Sequence, residues 1–419
     1  MKVSGSLRVP GDKSISHRAL ILGALAEGEC RVTGILQSAD VKSTAAVLRT
    51  LGADVPALSS DMVVRGRGPK QLRQPERELD CGNSGTTTRL MAGVVAALPI
   101  TATFCGDASL SRRPMRRIAR PLETMGARVE LPPHGGLPMT IHGGSLHDID
   151  WESEVASAQV KSAILLAALV SGVRARVAEP ARSRDHTERM LAARGAQVHV
   201  DGTTAWIDAG SRIGALDVDV PGDPSSAAFF AGLAAVADSG TLRLEHVCVN
   251  ETRTGFLTQL RRMGARVTEE SRRLEGGERV ADLIVSPGDL RGVVVGAADV
   301  PSMVDELPML ACLATRAEGE TIITGAGELR VKESDRITAV VANLRAIGAD
   351  ADELPDGMHI RGSSRSLRGR VTTHGDHRLA MAFGVLGAAS GNAIQVDDRD
   401  CVAVSYPDFW RDLAAVTSE

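Results

Sequence analysis

The stretches of this sequence that could do chemistry begin with a basic one near the N-terminus. A short alternating strand runs into Pro10-Gly11-Asp12 and then into a helix rich in Ala and Leu, with Lys13, Ser14, Ser16 and Arg18 in its first turns. We place Ser14 or Ser16 at the N-cap or in the first turn, and Lys13 just ahead of the cap. A helix N-terminus carries about half a positive charge, so these groups favour a small anion such as phosphate or carboxylate. A capped helix with a solvated basic flank would account for this stretch equally well.

Other predicted helix starts carry similar side chains. The loop around Gly85 (NSGTTTR) permits close backbone approach to a ligand, but it lacks the GxxxxGK[ST] order of a nucleotide-binding loop. Arg113 offers a planar fork to a carboxylate or a phosphate, unless it lies in a solvated basic turn. Ser157 and Gln159 open the most apolar helix of the chain, and capping explains Ser157 but not Gln159. Arg182-Ser183-Arg184 forms a second basic cluster near a helix start.

Two acidic stretches could move protons. Asp305 and Glu306 fall in the first turn of a predicted apolar helix, where carboxylates are common for dipole reasons alone. Either could act as a general base if it is buried against an alcohol. Further on, Lys332 and Arg336 are predicted on one helical face at i and i+4, a like-charged pair that is disfavoured unless an anion lies between them. Glu333 beside them could donate a proton, although a solvated charged face is the ordinary alternative.

Metal and cofactor chemistry is not expected. His374 and His377 lie three apart on either side of Asp376, but no third ligand has matching spacing, and Arg378 follows as a further anion-binding candidate. The six cysteines form no CxxC pair, which argues against zinc and against a disulfide scaffold.

Length and composition describe a soluble globular protein of more than one domain. The chain has 419 residues, of which 43% are hydrophobic and 24% charged. A net charge of -4 and 2% aromatic residues argue against nucleic acid as a partner. The longest clean apolar run, 163–170, is too short to span a bilayer, and the N-terminus has no hydrophobic signal region. We therefore expect a cytoplasmic protein that binds no membrane, and we expect a monomer.

One structural unit recurs six times along the chain. A small or polar residue followed by an Ala/Leu/Met-rich stretch recurs at intervals of 68 to 77 residues, near positions 14, 84, 157, 225, 302 and 376. A Gly-Ala pair recurs at 52, 126, 195, 264 and 348, where we predict that a second helix ends and a strand follows. Val-Pro-Gly-Asp occurs at 9–12 and again at 220–223, three units later. We therefore predict one domain at 13–222 and another at 1–12 together with 223–419, with helix N-termini converging on an anion between them.

Taken together, these stretches resemble the enolpyruvyl transferase family. The resemblance covers essentially the whole chain and rests on PGDKSISHR at 10–18, GNSGTTTR at 82–89, RPM at 113–115, SAQVKSA at 157–163, PGDPSSAA at 221–228, RVKESDR at 330–336 and DHR at 376–378. It implies an α/β fold of two lobes, each an inside-out α/β barrel built from three βαβαββ-like repeats.

The resemblance also implies an activity and a set of site residues. The activity is transfer of the enolpyruvyl group of phosphoenolpyruvate to the 5-hydroxyl of shikimate 3-phosphate, through a tetrahedral intermediate and with release of phosphate. The matching motifs place Asp305, Glu333 and Lys13 in catalysis. The implied contacts to shikimate 3-phosphate are Lys13, Ser14, Arg18, Ser157, Gln159, Arg184, Asp305 and Lys332. Those to phosphoenolpyruvate are Lys13, Gly85, Arg113, Gln159, Arg336 and Arg378.

One departure and two alternatives remain open in the sequence. Val404 stands where some members carry a Lys before the Pro of the closing stretch, so one cationic contact to phosphoenolpyruvate is absent or supplied elsewhere. The sister branch that acts on UDP-N-acetylglucosamine has Lys-Asn where this chain has Lys13-Ser14, and usually a reactive Cys on a mobile loop; here the nearest thiol, Cys105, lies outside the Arg113 loop. A non-catalytic anion-binding scaffold would lack the intact Asp305, Glu333 and Lys13.

Overall fold

The computed structural model describes residues 1–418, and they divide into two compact units. The 11–220 unit comprises 11–220 together with 274–278, and the 221–419 unit comprises 1–10, 221–273 and the chain from 279 onward. The sequence places the crossings about two residues later and does not separate 274–278. That each unit is one lobe of three repeats stays a prediction.

The helices of both units are mostly short. In the 11–220 unit they are α1 (Lys13–Leu25), α2 (Ala39–Thr50), α3 (Gly85–Ala96), α4 (Ala108–Ser111), α5 (Arg116–Thr124), α6 (Ala158–Ser171) and α7 (His186–Ala193). In the 221–419 unit they are α8 (Pro224–Ala235), α9 (Gly255–Arg262), α10 (Leu307–Ala314), α11 (Arg336–Ala346), α12 (His377–Ala388) and α13 (Phe409–Val416). None of the helices within residues 1–418 is long and apolar enough to cross a membrane.

The strands form six separate sheets. Those of the first half of the chain are β1 (Lys2–Leu7), β2 (Glu27–Thr33), β3 (Asp61–Arg67), β4 (Leu79–Asp80), β5 (Thr101–Cys105), β6 (Arg128–Glu130), β7 (Met139–His142), β8 (Ile149–Glu152), β9 (Ala175–Ala178), β10 (Val198–Asp201), β11 (Thr204–Ile207) and β12 (Val218–Asp219). Those of the second half are β13 (Ser239–Cys248), β14 (Arg266–Glu275), β15 (Glu278–Ser286), β16 (Val294–Val295), β17 (Glu320–Ile323), β18 (Asp350–Leu354), β19 (Gly357–Arg361), β20 (Arg368–Val371), β21 (Ala393–Val396) and β22 (Thr417–Ser418).

Three sheets have one topology. Their orders are β4-β5-β7-β6, β8-β9-β11-β10 and β16-β17-β19-β18. In each, a helix joins two parallel strands and a second helix leads into an antiparallel hairpin that pairs with the second strand. These three copies confirm the predicted βαβαββ unit and the mixed α/β class.

The sheets at the two chain crossings exchange their first strands. β1 directly precedes α1 in sequence but pairs in parallel with β13, in the 221–419 unit. β12 directly precedes α8 but pairs in parallel with β2, in the 11–220 unit. The resulting sheets have the orders β14-β15-β13-β1-β22 and β12-β2-β3, and the sixth sheet contains β20 and β21. The last strand, β22, pairs antiparallel with β1. That the N-terminal strand closes the last repeat stays a prediction.

The first helix of each repeat is buried nearly all round, which explains its apolar sequence. All twelve residues of α8 are buried, from Pro224 to Ala235. The caps differ from the predicted ones at three starts. Asp12 rather than Ser14 or Ser16 caps α1, and Asp223 caps α8, because an ionised carboxylate accepts a first-turn N–H strongly. The helix predicted near Ser302, α10, begins instead at Leu307, after two 3₁₀ turns and with Pro308 in its first turn.

The Gly-Ala pairs confirm the predicted ends of the second helices. The five glycines, at 52, 126, 195, 264 and 348, follow α2, α5, α7, α9 and α11 and have φ between 92° and 113°. Glycine adopts this left-handed backbone without a side-chain penalty, so it can reverse the chain directly into the next strand.

Candidate functional site

The N-terminus of α1 carries three of the predicted site residues. Since Asp12 is the cap, Lys13 is the first helical residue rather than a residue ahead of the cap, and Ser14 is the second. The Nζ of Lys13 lies 3.3 Å from Oδ2 of Asp40, at the start of α2. Arg18 is only 4% exposed and donates to the carbonyl of Ser14 at 3.0 Å, so the turn and the guanidinium hold one another in place.

Arg18 also joins α1 to two other helices. Its Nε donates to Thr187 Oγ1 at 2.7 Å and its Nη2 to Ser162 Oγ at 2.8 Å. Burial lowers the pKa of Arg18 to about 10, against the attraction of Glu188 and other carboxylates. The group stays cationic at neutral pH.

A second basic group lies at the start of α3. Ser84 caps this helix, and a Cβ built on Gly85 would lie 2.8 Å from Nη1 of Arg89 and 3.5 Å from Nη1 of Arg113. A methyl group there would crowd the guanidinium of Arg89, and it would meet that of Arg113 at an ordinary contact distance. Arg89 is buried, and burial together with the neighbouring cations Arg117 and Arg113 lowers its pKa to about 10.

Gln159 ties α6 to this basic group. Its Oε1 accepts from Arg89 Nη1 at 2.6 Å, and its Nε2 donates to Thr86 Oγ1 at 3.0 Å. Arg113 donates instead to Asn83 Oδ1 at 2.7 Å. The first-turn position of Gln159, which capping did not explain, is thus explained by its contacts to α3.

Ser157 caps α6 as predicted, and a buried acid holds it. The backbone N–H of Ser157 donates to Oε1 of Glu179 at 2.7 Å, while Oε2 of Glu179 accepts from Ser183 Oγ at 2.7 Å. Ser183 directly precedes Arg184, which is half-buried and whose positive charge contributes to the lowered pKa of Arg18. The basic stretch 182–184 therefore belongs to the same surroundings as Arg18.

A chain of hydroxyls connects the first three helices. His17 Nδ1 lies 2.6 Å from Thr44 Oγ1, which lies 2.6 Å from Thr87 Oγ1. Thr87 in turn donates to Ser84 Oγ at 2.8 Å. Burial, with the charges of Lys13 and Arg18, lowers the pKa of His17 to about 3 even though Asp40 opposes it, so the imidazole is neutral. These contacts fix the relative positions of the α1 and α3 starts.

In the 221–419 unit, carboxylates and arginines alternate around Arg336. This residue is 1% exposed, donates from Nε to Asp376 Oδ2 at 2.8 Å and from Nη2 to Glu333 Oε2 at 2.7 Å, and has Nη1 3.5 Å from Asp305 Oδ1. Burial favours the neutral guanidinium, but Glu333 and Asp376 outweigh it and raise the pKa of Arg336. Burial likewise opposes ionisation of the two carboxyls, yet the cations Arg336 and His377 hold the pKa values of Glu333 and Asp376 below their usual range.

Asp305 lies between two arginines. Besides Arg336, Nη2 of Arg378 is 3.7 Å from its Oδ2, and Nη1 of Arg378 donates to its carbonyl at 3.3 Å. The side chain of Asp305 is 16% exposed, whereas that of the adjacent Glu306 is 1% exposed and accepts from Ser225 Oγ. Of the two adjacent acids, Asp305 is therefore the one that a substrate hydroxyl can reach.

The predicted helical face of Lys332 and Arg336 is wrong. Residues 327–331 form a 3₁₀ turn, 332–335 are not helical, and α11 begins at Arg336 with Asp335 as its cap. Lys332 donates to Glu328 Oε1 at 2.8 Å, so its charge has a partner on its own turn. The Asp335 cap accepts from Thr338 N–H at 3.1 Å and so begins a new helix after Lys332.

Each unit thus groups its share of the predicted residues. The N-termini of α1, α3 and α6 gather Lys13, Ser14, Arg18, Gly85, Arg113, Ser157, Gln159 and Arg184 in the 11–220 unit. The other unit gathers Asp305, Lys332, Glu333, Arg336 and Arg378 beside the starts of α10, α11 and α12. Val404 lies at the end of a 3₁₀ turn, 44% exposed.

Arg89 and Asp376 belong to these groups, although the sequence-based site does not include them. Each sits in a stretch that the sequence singles out, Arg89 four residues after Gly85 and Asp376 at the last helix start. The i, i+4 spacing from a first-turn glycine is the signal that could have pointed to Arg89.

The chemistry of the two groups differs. The first offers cations and helix N-termini, which suit phosphate and carboxylate groups. The second offers an accessible carboxylate between two arginines, which suits proton removal from an alcohol beside an anionic reactant.

Comparisons with known proteins agree over nearly the full length. Residues 1–413 match the family described as EPSP synthase (3-phosphoshikimate 1-carboxyvinyltransferase). The chain is 47% identical to the 3-phosphoshikimate 1-carboxyvinyltransferase of Sulfurihydrogenibium sp. (strain YO3AOP1), over 99% of this chain and 98% of that protein. It is 48% identical to that of Gloeobacter violaceus, over 100% and 98%. A solved EPSP synthase from Acinetobacter baumannii is similar with a TM-score of 0.91 and 39% identity, covering 99% of this chain and 96% of that one.

Proposed function

The chain belongs to the EPSP synthase (3-phosphoshikimate 1-carboxyvinyltransferase) family, and on that premise we propose how its residues divide the reaction between them. The enzyme transfers the enolpyruvyl group of phosphoenolpyruvate to the 5-hydroxyl of shikimate 3-phosphate and releases phosphate, in the shikimate pathway of aromatic amino-acid biosynthesis. The observation that carries the division of roles is the position of Asp305 between Arg336 and Arg378.

Asp305 takes the proton of the 5-hydroxyl while the hydroxyl oxygen forms a bond to C2 of phosphoenolpyruvate. A proton is delivered to C3 in the same addition, and Lys13 and Glu333 are the groups we assign to that transfer. In the elimination the C2–O bond to phosphate breaks and phosphate leaves with the bonding electron pair, while the group that protonated C3 takes a proton back from it. The enol ether of the product forms in this step. Proton transfer by positioned groups of this kind contributes about 10² to 10⁴ in rate.

The remaining residues bind the two anions. We assign Gly85, Arg113, Gln159, Arg336 and Arg378 to phosphoenolpyruvate, together with Lys13. Ser14, Arg18, Ser157, Arg184 and Lys332 are assigned to shikimate 3-phosphate, with Lys13, Gln159 and Asp305 shared. Fixed cations at positions where charge develops stabilise it without reorganising water. We also infer that the enzyme is cytoplasmic and that it acts as a monomer. Light scattering on the purified protein tests the monomeric state.

Phosphate release from phosphoenolpyruvate tests the substrate assignment. Release is expected with shikimate 3-phosphate and not with UDP-N-acetylglucosamine, the acceptor of the sister enzyme. Release with the UDP-sugar alone would assign the chain to the sister enzyme, and release with neither acceptor would contradict the proposed activity.

The Asp305→Asn variant tests the base. It should lower kcat by about 10²-fold or more with little change in KM, because the amide cannot take a proton while its size is kept. Asp150→Asn, at an exposed ion pair with Arg176, is the matched control and should leave both constants unchanged. A rise in KM at constant kcat would assign Asp305 to binding alone.

A further inference from the structure

Arg18 is a buried cation whose hydrogen bonds all go to uncharged groups. Its acceptors are the carbonyl of Ser14 and the hydroxyls of Thr187 and Ser162, at 2.7 to 3.0 Å. An isolated charge inside a protein is costly unless an opposite charge compensates it. No carboxylate within residues 1–418 forms an ion pair with Arg18, so its compensation must come from a group that does not touch it.

A buried cluster of three charges lies in the same unit. Nζ of Lys161 is 2.7 Å from Oε2 of Glu179 and 2.8 Å from Oε1 of Glu188, and all three side chains are at most 5% exposed. Burial opposes the charge of Lys161, but the two carboxylates outweigh it and raise the pKa of this ammonium group. Burial also raises the pKa of Glu188, against the attraction of Lys161. With both carboxylates ionised the cluster carries a net charge of -1, and in that state the cluster and Arg18 together are neutral.

The fold places this cluster next to the acceptors of Arg18. Lys161 directly precedes Ser162 on α6, and Glu188 directly follows Thr187 on α7. The two hydroxyls that hold Arg18 are themselves 2.7 Å apart. Among the carboxylates whose attraction raises the pKa of Arg18 against burial, Glu188 acts most strongly, ahead of Asp12 and Glu278.

We propose that the Lys161–Glu179–Glu188 cluster is the counter-charge of Arg18 and sets how tightly Arg18 binds an anion. Because the counter-charge stays out of contact, Arg18 remains charged without a carboxylate occupying its place. An incoming phosphate or carboxylate is then repelled by the negative charge of the cluster, but it does not have to break an ion pair to contact Arg18. The three residues are positioning residues, and the inference rests on the proposed role of Arg18 in binding shikimate 3-phosphate.

The direction of the effect separates this role from a structural one. Glu188→Gln keeps the shape of the side chain but removes one negative charge, so shikimate 3-phosphate should bind about 3- to 10-fold more tightly. The free protein should meanwhile unfold at a lower temperature, since Arg18 loses its compensation. A residue that merely supported the fold would weaken binding when replaced.

Calorimetric titration of the full-length variants with shikimate 3-phosphate and with shikimate measures this. If only shikimate 3-phosphate binds more tightly, its phosphate is the group that responds to the cluster. If shikimate also binds more tightly, the responding group is the carboxylate that the two ligands share. Glu154→Gln, at an exposed ion pair with Arg120, is the control and should change neither affinity.

A second variant tests the same proposal if Glu188→Gln does not fold. Glu179→Gln keeps an acceptor for the Ser157 N–H and should shift the affinity in the same direction. Unchanged or weaker binding in the folded variants would overturn the inference. Turnover of the wild type with phosphoenolpyruvate is measured in parallel, because its absence would overturn the proposed function, whereas an active enzyme with unshifted affinities overturns only the counter-charge.

Discussion

At the scale of residues, the arginines fall into two kinds. Arg18 and Arg89 make their hydrogen bonds to uncharged oxygens, and burial lowers the pKa of both. Arg336 instead contacts the carboxylates of Glu333, Asp376 and Asp305. The first kind retains attraction for an anion, whereas the charge of Arg336 is largely balanced and its strength lies in fixed orientation.

A substitution at Gly85 tests how closely the guanidinium of Arg89 approaches the start of α3. Gly85→Ala should raise the KM for phosphoenolpyruvate about tenfold or more and change the KM for shikimate 3-phosphate little, because the new methyl group displaces the guanidinium of Arg89. Steady-state kinetics with each substrate varied in turn measures this. Gly144→Ala, where an added Cβ meets nothing within 4 Å, is the control. Equal changes in both constants would argue against a local effect.

His17 predicts a pH dependence of stability. Its pKa is about 3 in the folded protein and about 6.5 in the unfolded chain, so between these values only the unfolded chain binds the proton. Stability from this group is present above pH 6.5 and is lost as pH falls, by about 1.4 kcal/mol per pH unit. Denaturant unfolding of His17→Gln should show a shallower decline between pH 6.5 and 4. The exposed His147→Gln should follow the wild type, and parallel slopes for all three proteins would contradict the assignment.

How far the site could be predicted depends on the kind of residue contact involved. The positions of Lys13, Ser14 and Gly85 at helix starts were predictable because helix starts and loop glycines have local sequence patterns. The link between Arg89 and Gln159 was not, since their 70-residue separation is bridged only by packing of α3 on α6. The helical face of Lys332 and Arg336 was wrong because charge spacing does not reveal that Asp335 caps a new helix.

At the scale of elements, each second helix ends at a left-handed glycine that leads into a strand. The five glycines share a backbone conformation but not their surroundings. An added Cβ at Gly195 meets nothing within 4 Å, whereas at Gly264 it would lie 2.6 Å from the carbonyl oxygen of Asp289. This recurring turn was predictable from the Gly-Ala pairs because only glycine adopts it cheaply.

The two glycines therefore separate backbone strain from crowding. Gly195→Ala should lower the free energy of unfolding by about 1–2 kcal/mol, the cost of a left-handed alanine. Gly264→Ala should cost about 1–3 kcal/mol more, because the backbone must also shift. Equilibrium urea unfolding measures both. Equal losses would show that the contact with Asp289 relaxes freely.

At the scale of the whole molecule, the strands at the two crossings are exchanged. β1 pairs with β13 and β22, so a strand from the start of the chain joins the middle and the end of the chain in one sheet. The three copies of the βαβαββ unit were predictable from sequence periodicity, and the two Val-Pro-Gly-Asp copies pointed to the crossings. The strand partners were not, because a short alternating strand carries no signal for the strand it joins.

Deletion of residues 1–8 tests this sheet. Backbone amides of β13 and β22 should exchange hydrogen faster, because both strands lose a hydrogen-bonded neighbour, while those of β9 and β11 keep their protection. Hydrogen exchange followed by mass spectrometry of peptides resolves the difference. Lys2→Ser, at an exposed position of β1, is the control. Uniformly faster exchange throughout the chain would refute a local role.

The exchanged strands also impose an order on synthesis. The ribosome makes β1 before its partners: β13 emerges more than two hundred residues later and β22 more than four hundred residues later. The 11–220 unit has all of its strands once residue 278 has left the ribosome, whereas the sheet that contains β1 stays incomplete until β22 has been made. The nascent chain must therefore carry a strand whose backbone N–H and C=O groups are unpaired until β13 has been made, and chaperone dependence should concentrate on that N-terminal segment.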